Sequence, residues 1–273
     1  MRINIRRGLM IAMLTFGVSN GAILAGPIED GIVARDRGDY ATALKLWRPL
    51  AEQGNANAQY NLGVMYARKL GVAQDYKEAA KWYRLAAEQG DTEAQYNLGV
   101  LCDRGLGVTQ NFEEAMKWYR LAAAQGDAQA QYDLGVIYSE GQGVIQNFED
   151  AIRWYRLAAA QGDARAQSTL GAIYAKGQGV TQDFKEAMKW YLLAAAQGDA
   201  QAQYDLGLLY GNGKGVAQDF VHAHMWLNVA AARGYPDAAK SSDTISERMT
   251  KKKIAEARTM ARKCEASNYK QCD

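Results

Sequence analysis

The sequence predicts an all-α, right-handed solenoid of stacked helix–turn–helix units, and three observations carry that prediction. A block opening AQYNLG at Ala58 recurs every 36 residues, as copies 58–93, 94–129, 130–165, 166–201 and 202–237. The second and third copies differ at only 11 of 36 positions. A period of this size marks one supersecondary unit that cannot bury its apolar face alone and must stack on its neighbours. Within each copy, apolar residues recur at helical rather than strand spacing, as in Leu134, Ile137 and Tyr138. Glycines fall where helices must stop, at Gly141, Gly143 and Gly162 in the third copy.

Residues 1–25 read as a secretory leader. Arg2, Arg6 and Arg7 form a basic start, Leu9–Phe16 an apolar stretch, and the small residues Ala22 and Ala25 precede Gly26-Pro27. Cleavage is expected after Ala25. The apolar run is broken by Gly17, Ser19, Asn20 and Gly21, too early to span a bilayer, which needs about 20 apolar residues. The expected mature chain is exported, without a membrane span, in a periplasm or outside the cell. Beyond residue 25 there are 29 basic and 30 acidic side chains, which gives no electrostatic footprint for nucleic acid.

Residues 28–57 match the later copies only in half. The short turn Arg37-Gly38-Asp39-Tyr40 replaces the glycine-rich loop, and Pro49, late in the second helix, should kink it. In the complete copies, Asp127 caps the first helix and Asn147 the second, with Asp150 placed for a capping box. The second helix is expected to bury Phe148, Ala151, Trp154, Tyr155 and Ala158-Ala159. Gly135, matched by Gly63, Gly99, Gly171 and Gly207, lies inside a helix, where glycine costs roughly 1 kcal/mol against alanine. The expected reason is close approach of the neighbouring helix backbone. Trp82, Trp118, Trp154, Trp190 and Trp226 share one slot and are expected to form an inter-repeat core stripe. The first copy has Lys69 where the others have Gly105, Gly141, Gly177 and Gly213, which should alter its first helix end.

Residues 238–273 read as capping helices with a tail closed by a disulfide. Cys264 and Cys272 have seven residues between them, and their bond would contribute about 2.5 kcal/mol by limiting the unfolded chain. Two thiolates with no nearby histidine make an incomplete zinc set. Cys102 replaces the tyrosine found at 66, 138, 174 and 210, so it is expected to be a buried thiol. Nothing else suggests chemistry. His222 and His224, two apart on a helix, point to different faces and are expected at the helix surface or cap. Acidic pairs such as Glu113-Glu114 and Glu149-Asp150 favour helix starts. The Gly141-Gln142-Gly143 loop lacks the Lys-Ser/Thr of a phosphate loop. No catalytic residue, cofactor or metal is expected.

The pattern A-x-x-x-L-G-x-x-Y-x-x-G-x-G-V-x-Q-[DN]-[FY]-x-x-A-x-x-W-Y-x-x-A-A-x-x-G resembles the Sel-one-like repeat, a branch of the tetratricopeptide-like α-solenoids, over residues 58–237. The unit at 28–57 resembles an ordinary tetratricopeptide unit. The resemblance implies a non-enzymatic adaptor, here a monomer, binding a protein or peptide on a concave face lined by the first helices. That packing would turn Tyr60, Tyr96, Tyr132, Ser168 and Tyr204 inward, with Val64, Val100, Val136, Ala172 and Leu208 one turn on. Arg68, Arg104, Glu140, Lys176 and Asn212 would follow at the groove end. The tyrosines either bind a partner or fill gaps between repeats. The alternative function is an enzyme or cell-wall-binding protein like the cysteine-rich secreted Sel-one-like proteins that bind or hydrolyse β-lactams. Those carry a cysteine pair in each repeat, and this chain does not.

Overall fold

The protein is described by a computed structural model covering residues 26–270 and 272. The leader expected at 1–25 lies outside the described residues. All regular structure among the described residues is helical, in seven successive pairs. The first unit is α1 (Pro27–Asp36) and α2 (Tyr40–Glu52). Five near-identical units follow: α3 (Ala56–Arg68) with α4 (Tyr76–Glu88), α5 (Thr92–Arg104) with α6 (Phe112–Ala124), and α7 (Ala128–Glu140) with α8 (Phe148–Ala160). Next come α9 (Ala164–Lys176) with α10 (Phe184–Ala195) and α11 (Ala200–Asn212) with α12 (Phe220–Ala232). The chain closes with α13 (Ala238–Ser246) and α14 (Lys251–Ala266). Through α12, each helix packs on the one before and the one after it; α13 and α14 both pack on α12.

In the five near-identical units, each first helix starts on an Asx cap. The Asp127 carboxylate accepts the Ala130 N–H at 2.7 Å, and Asn55, Asp91, Asp163 and Asp199 do the same in their units. In the same five units each first helix ends in a left-handed residue, Gly141 at φ 72° in α7. Lys69 takes the same conformation at φ 59°, and Leu70 N–H still reaches the Met65 carbonyl at 2.9 Å. The helix end of the first copy is therefore preserved, contrary to expectation, at the cost of a side chain in a strained backbone region.

Two contacts fix the loop that follows. The Asn147 N–H donates to the Tyr138 carbonyl at 2.8 Å, and the Gln146 amide donates to the Ser139 carbonyl at 2.7 Å. Because the Asn147 N–H is used this way, Asp150 cannot close the ordinary capping box; it instead accepts from the Asn147 side chain at 2.8 Å.

The core repeats along the chain. The internal glycine of a first helix receives a side chain from its partner helix, a ring in all but one unit. A Cβ on Gly135 would lie 2.6 Å from two ring carbons of Tyr155, and Gly63, Gly99 and Gly171 face Tyr83, Tyr119 and Tyr191 in the same way. Gly207 faces Leu227, and in the first unit Gly31 faces Trp47. The tryptophan stripe is less uniform than expected: Trp118 and Trp226 are buried, whereas Trp82, Trp154 and Trp190 are half-buried, as is Phe148. Indoles have too much surface for the narrow seam between units to cover evenly. His224 is also buried, not superficial, with Nδ1 2.7 Å from the Asn228 amide, whose oxygen accepts from Ser242 at 2.9 Å. It occupies a seam between α12 and α13 that the earlier repeats lack.

A buried glutamine ladder links the units. Gln131 donates to the Ala123 carbonyl at 3.2 Å and accepts from Gln161 at 2.8 Å. Gln59, Gln95 and Gln167 repeat both contacts. The ladder ends at Gln203, whose oxygen has no protein partner, because Arg233 stands where Gln197 would recur and donates to the Tyr269 hydroxyl at 2.8 Å. At the C-terminus, the Cys264 and Cys272 sulfurs lie at bonding distance, with Cα atoms 4.4 Å apart. Cys102 is buried, and burial pushes its thiol up to about 11.

Candidate partner-binding face

The first helices place their third repeat position on one face, since a 36-residue period returns each side chain to the same station. Tyr60, Tyr96, Tyr132 and Tyr204 are all half-buried there. Each ring leans on another. Tyr60 meets Tyr83 at 6.0 Å between centroids, Tyr96 meets Tyr119 at 5.8 Å, and Tyr132 meets Tyr155 at 5.5 Å. The inner tyrosine of each pair is the ring that fills the glycine slot. One side of the outer ring is thus supported by the core, while part of each residue's surface stays exposed.

Tyr204 differs. It pairs with Tyr235 at 4.7 Å, and its hydroxyl lies 3.5 Å from the Ser241 hydroxyl, so the C-terminal segment covers it. Ser168 is buried and donates to the Asp199 carboxylate at 3.2 Å. The charged positions Arg104, Glu140 and Lys176 are exposed at the helix ends, with Glu140 accepting from Gln142 at 2.6 Å.

Charges that the sequence reading passed over are interleaved with the rings. The Tyr96 hydroxyl is hydrogen-bonded to Asp133 in the next unit. Burial pushes the Asp133 carboxyl up to about 6, against the opposing effects of that hydrogen bond and of Arg165. The Arg165 guanidinium lies 4.3 Å from the Tyr132 ring centroid and 2.7 Å from the Asp163 carboxylate. Burial likewise raises Asp103 and Asp205. The available signal was departure from the repeat: Asp133 and Asp205 stand where other copies have Asn61, Asn97 and Thr169.

This geometry offers aromatic surface and charge, without a nucleophile–base pair. No group of three or more His, Cys, Asp or Glu among the described residues could hold a metal. No described helix is long and apolar enough to cross a membrane.

The Sel1 repeat model matches the chain at residues 24–55, 56–91, 92–127, 128–163, 164–199 and 200–235. The chain belongs to the Sel1 repeat family. It is similar to c5321, a protective antigen of uropathogenic Escherichia coli strains with an SLR fold, at 34% identity and a TM-score of 0.80. That match covers 89% of this chain and 53% of c5321, so the chain spans about half the length of that relative. It is also similar to a Sel1 repeat protein from Oxalobacter formigenes, at 34% identity and a TM-score of 0.73, covering 87% of this chain and 99% of that one. No curated protein is significantly similar to the chain. Sel1 repeat proteins generally mediate protein–protein interaction, and scaffolds of this family are generally non-catalytic.

Proposed function

We propose that this Sel1 repeat chain is an exported, non-enzymatic adaptor that captures a protein or peptide along the face of its first helices. The observation that carries the reading is the row of Tyr60, Tyr96 and Tyr132, each supported on one side by a core ring and still partly exposed, with the Arg165 guanidinium over the Tyr132 ring. A side chain already held in place loses little freedom on binding, and tyrosine offers both an apolar ring and a hydroxyl. Arg104, Glu140 and Lys176 vary the charge along the row, which suits recognition of one extended sequence rather than of any strand. Export is supported by the leader-like residues 1–25 and by the Cys264–Cys272 pair, whose bond persists in oxidising compartments. The chain acts as a monomer in this reading and needs no cofactor.

The test is capture from the native envelope fraction by the wild-type chain and by Tyr96→Ala with Tyr132→Ala. The double variant is expected to keep its helical content by circular dichroism and to lose the captured partner, as truncating interface aromatics costs about 2 kcal/mol or more each. Arg104→Ala should weaken capture mainly at low salt. A folded double variant that still captures the same partner would refute the face assignment.

A further inference from the structure

The fourth repeat departs from the others at three neighbouring positions of this face, two of them toward a clearly smaller side chain. Ser168 stands where other copies have Tyr60, Tyr96, Tyr132 and Tyr204. Thr169 replaces Asn or Asp, and Ala172 replaces Val64, Val100, Val136 or Leu208. Together they open a cavity of about 440 Å³, lined also by Tyr191, Asp205 and Lys176.

The repeat itself shows what is missing. Two units earlier, the Tyr96 ring rests on Tyr119 and its hydroxyl is hydrogen-bonded to Asp133 of the following unit. Seventy-two residues on, the same three stations are Ser168, Tyr191 and Asp205. The supporting ring and the carboxylate acceptor are both retained, and only the phenol between them is gone. Asp205 accepts from Gln201 at 2.9 Å and from Tyr191. An ionised carboxylate has about four lone-pair sites, so room for a further donor remains.

Building on the adaptor reading above, we propose that this notch receives the phenol of a partner's tyrosine, with its hydroxyl donating to Asp205 and its ring against Tyr191. Other side chains fit the lining less well. A lysine or arginine could pair with Asp205 but would also meet the ammonium of Lys176 in the same cavity. A carboxylate could pair with Lys176 but would also meet Asp205, and a phenylalanine would leave Asp205 without its added donor.

The experiment titrates the intact protein with p-cresol as the probe, following backbone amide shifts by NMR, with 4-methylanisole as the ring that cannot donate. Saturable shifts are expected at Ser168, Ala172 and Asp205. Ser168→Tyr, which rebuilds the ring internally, should remove them while circular dichroism stays unchanged, and Ala172→Leu serves as a second filler. Asp205→Asn and the change to 4-methylanisole should each weaken binding about tenfold, the usual consequence of losing a hydrogen bond to a charged group. No saturable shift, equal binding of 4-methylanisole, or shifts unchanged in both filled variants would overturn the proposal. Partner capture without p-cresol binding would sink the notch alone. A p-cresol site that behaves as expected, in a protein whose Tyr96/Tyr132 variant still captures its partner, would sink the face assignment and leave the notch standing.

Discussion

The joint inside each repeat and the face that the repeat presents use neighbouring positions of the same helix, yet they vary in opposite ways. The joint glycine is unchanged at 63, 99, 135, 171 and 207, and four of its five partners are tyrosine. The face position three residues ahead of it is tyrosine four times and serine once, and the groove-end position passes through Arg68, Arg104, Glu140, Lys176 and Asn212. The difference is one of slack. A ring seated against glycine leaves no space for even a methyl group, so the glycine cannot gain a side chain while its partner stays in place. A half-exposed ring can be lost, and the loss opens a cavity without breaking the stack. Variation in this chain is therefore concentrated where contact with another molecule would be made.

The most severe way to break that contrast is Gly135→Val. Its Cβ would lie 2.6 Å from ring carbons of Tyr155, a buried ring whose hydroxyl is held 3.1 Å from that of Ser139. A loss of about 3 kcal/mol is expected from overpacking in a dense core. Urea denaturation measures it, and adding Tyr155→Ala should recover part of the loss by emptying the opposing space. Tyr132→Ser, which copies the fourth repeat's state into the third, should cost clearly less than Gly135→Val. Equal costs would mean that the face rings are as much part of the core as the joint.

Asp133→Asn should give a smaller effect of opposite sign. Burial raises the Asp133 carboxyl from 3.8 to about 6, so the folded state holds its proton where the unfolded state has lost it. A carboxyl raised in this direction leaves the fold most stable below pH 4 and penalises it as pH rises through the interval from about 4 to 6. At pH 7 the neutral asparagine removes the penalty while keeping an acceptor for Tyr96. A gain on the order of 1 kcal/mol is expected after discounting for the part of the carboxyl open to water. Denaturation at pH 4 and at pH 7 should show the gain only at the higher value. An unchanged difference between the two would show that Arg165 and Tyr96 already offset the burial.

The repeat, its helices, their caps and the burial of Cys102 were legible because each depends on local pattern repeated five times. The closing of the glycine slots by Tyr83, Tyr119, Tyr155 and Tyr191 was not, since a glycine shows that something comes near but not what. The glutamine ladder also escaped notice, although Gln59, Gln95, Gln131, Gln167 and Gln203 recur as regularly as the glycines. A polar residue in a helix reads as solvated until the partner 30 residues away is placed beside it. His224 was misplaced for a related reason, because its seam is created by α13 packing on α12 and has no precedent in the other units. For the face, the row of tyrosines was visible as a period. The pairing of Tyr96 with Asp133 was not, because it crosses between units.

The smallest effect is expected at Lys69, the helix-end position where the first copy departs from the glycine of the others. Its φ of 59° is shared with Gly105, Gly141, Gly177 and Gly213, at 65° to 72°, so the loop imposes this conformation whatever the residue. A side chain there costs about 1 kcal/mol in the folded state. Glycine would remove that strain, but it also has more freedom to lose on folding, which offsets part of the gain. Lys69→Gly should therefore stabilise the protein by roughly 0.5 kcal/mol, within reach of denaturant midpoints measured side by side. The same variant separates drift from use. If Lys69 is only a tolerated substitution, stability rises and partner capture is unchanged, which is the expected outcome. A fall in capture at low salt would instead extend the binding face past Arg68 to the end of the first repeat and show that the strain is retained for its charge.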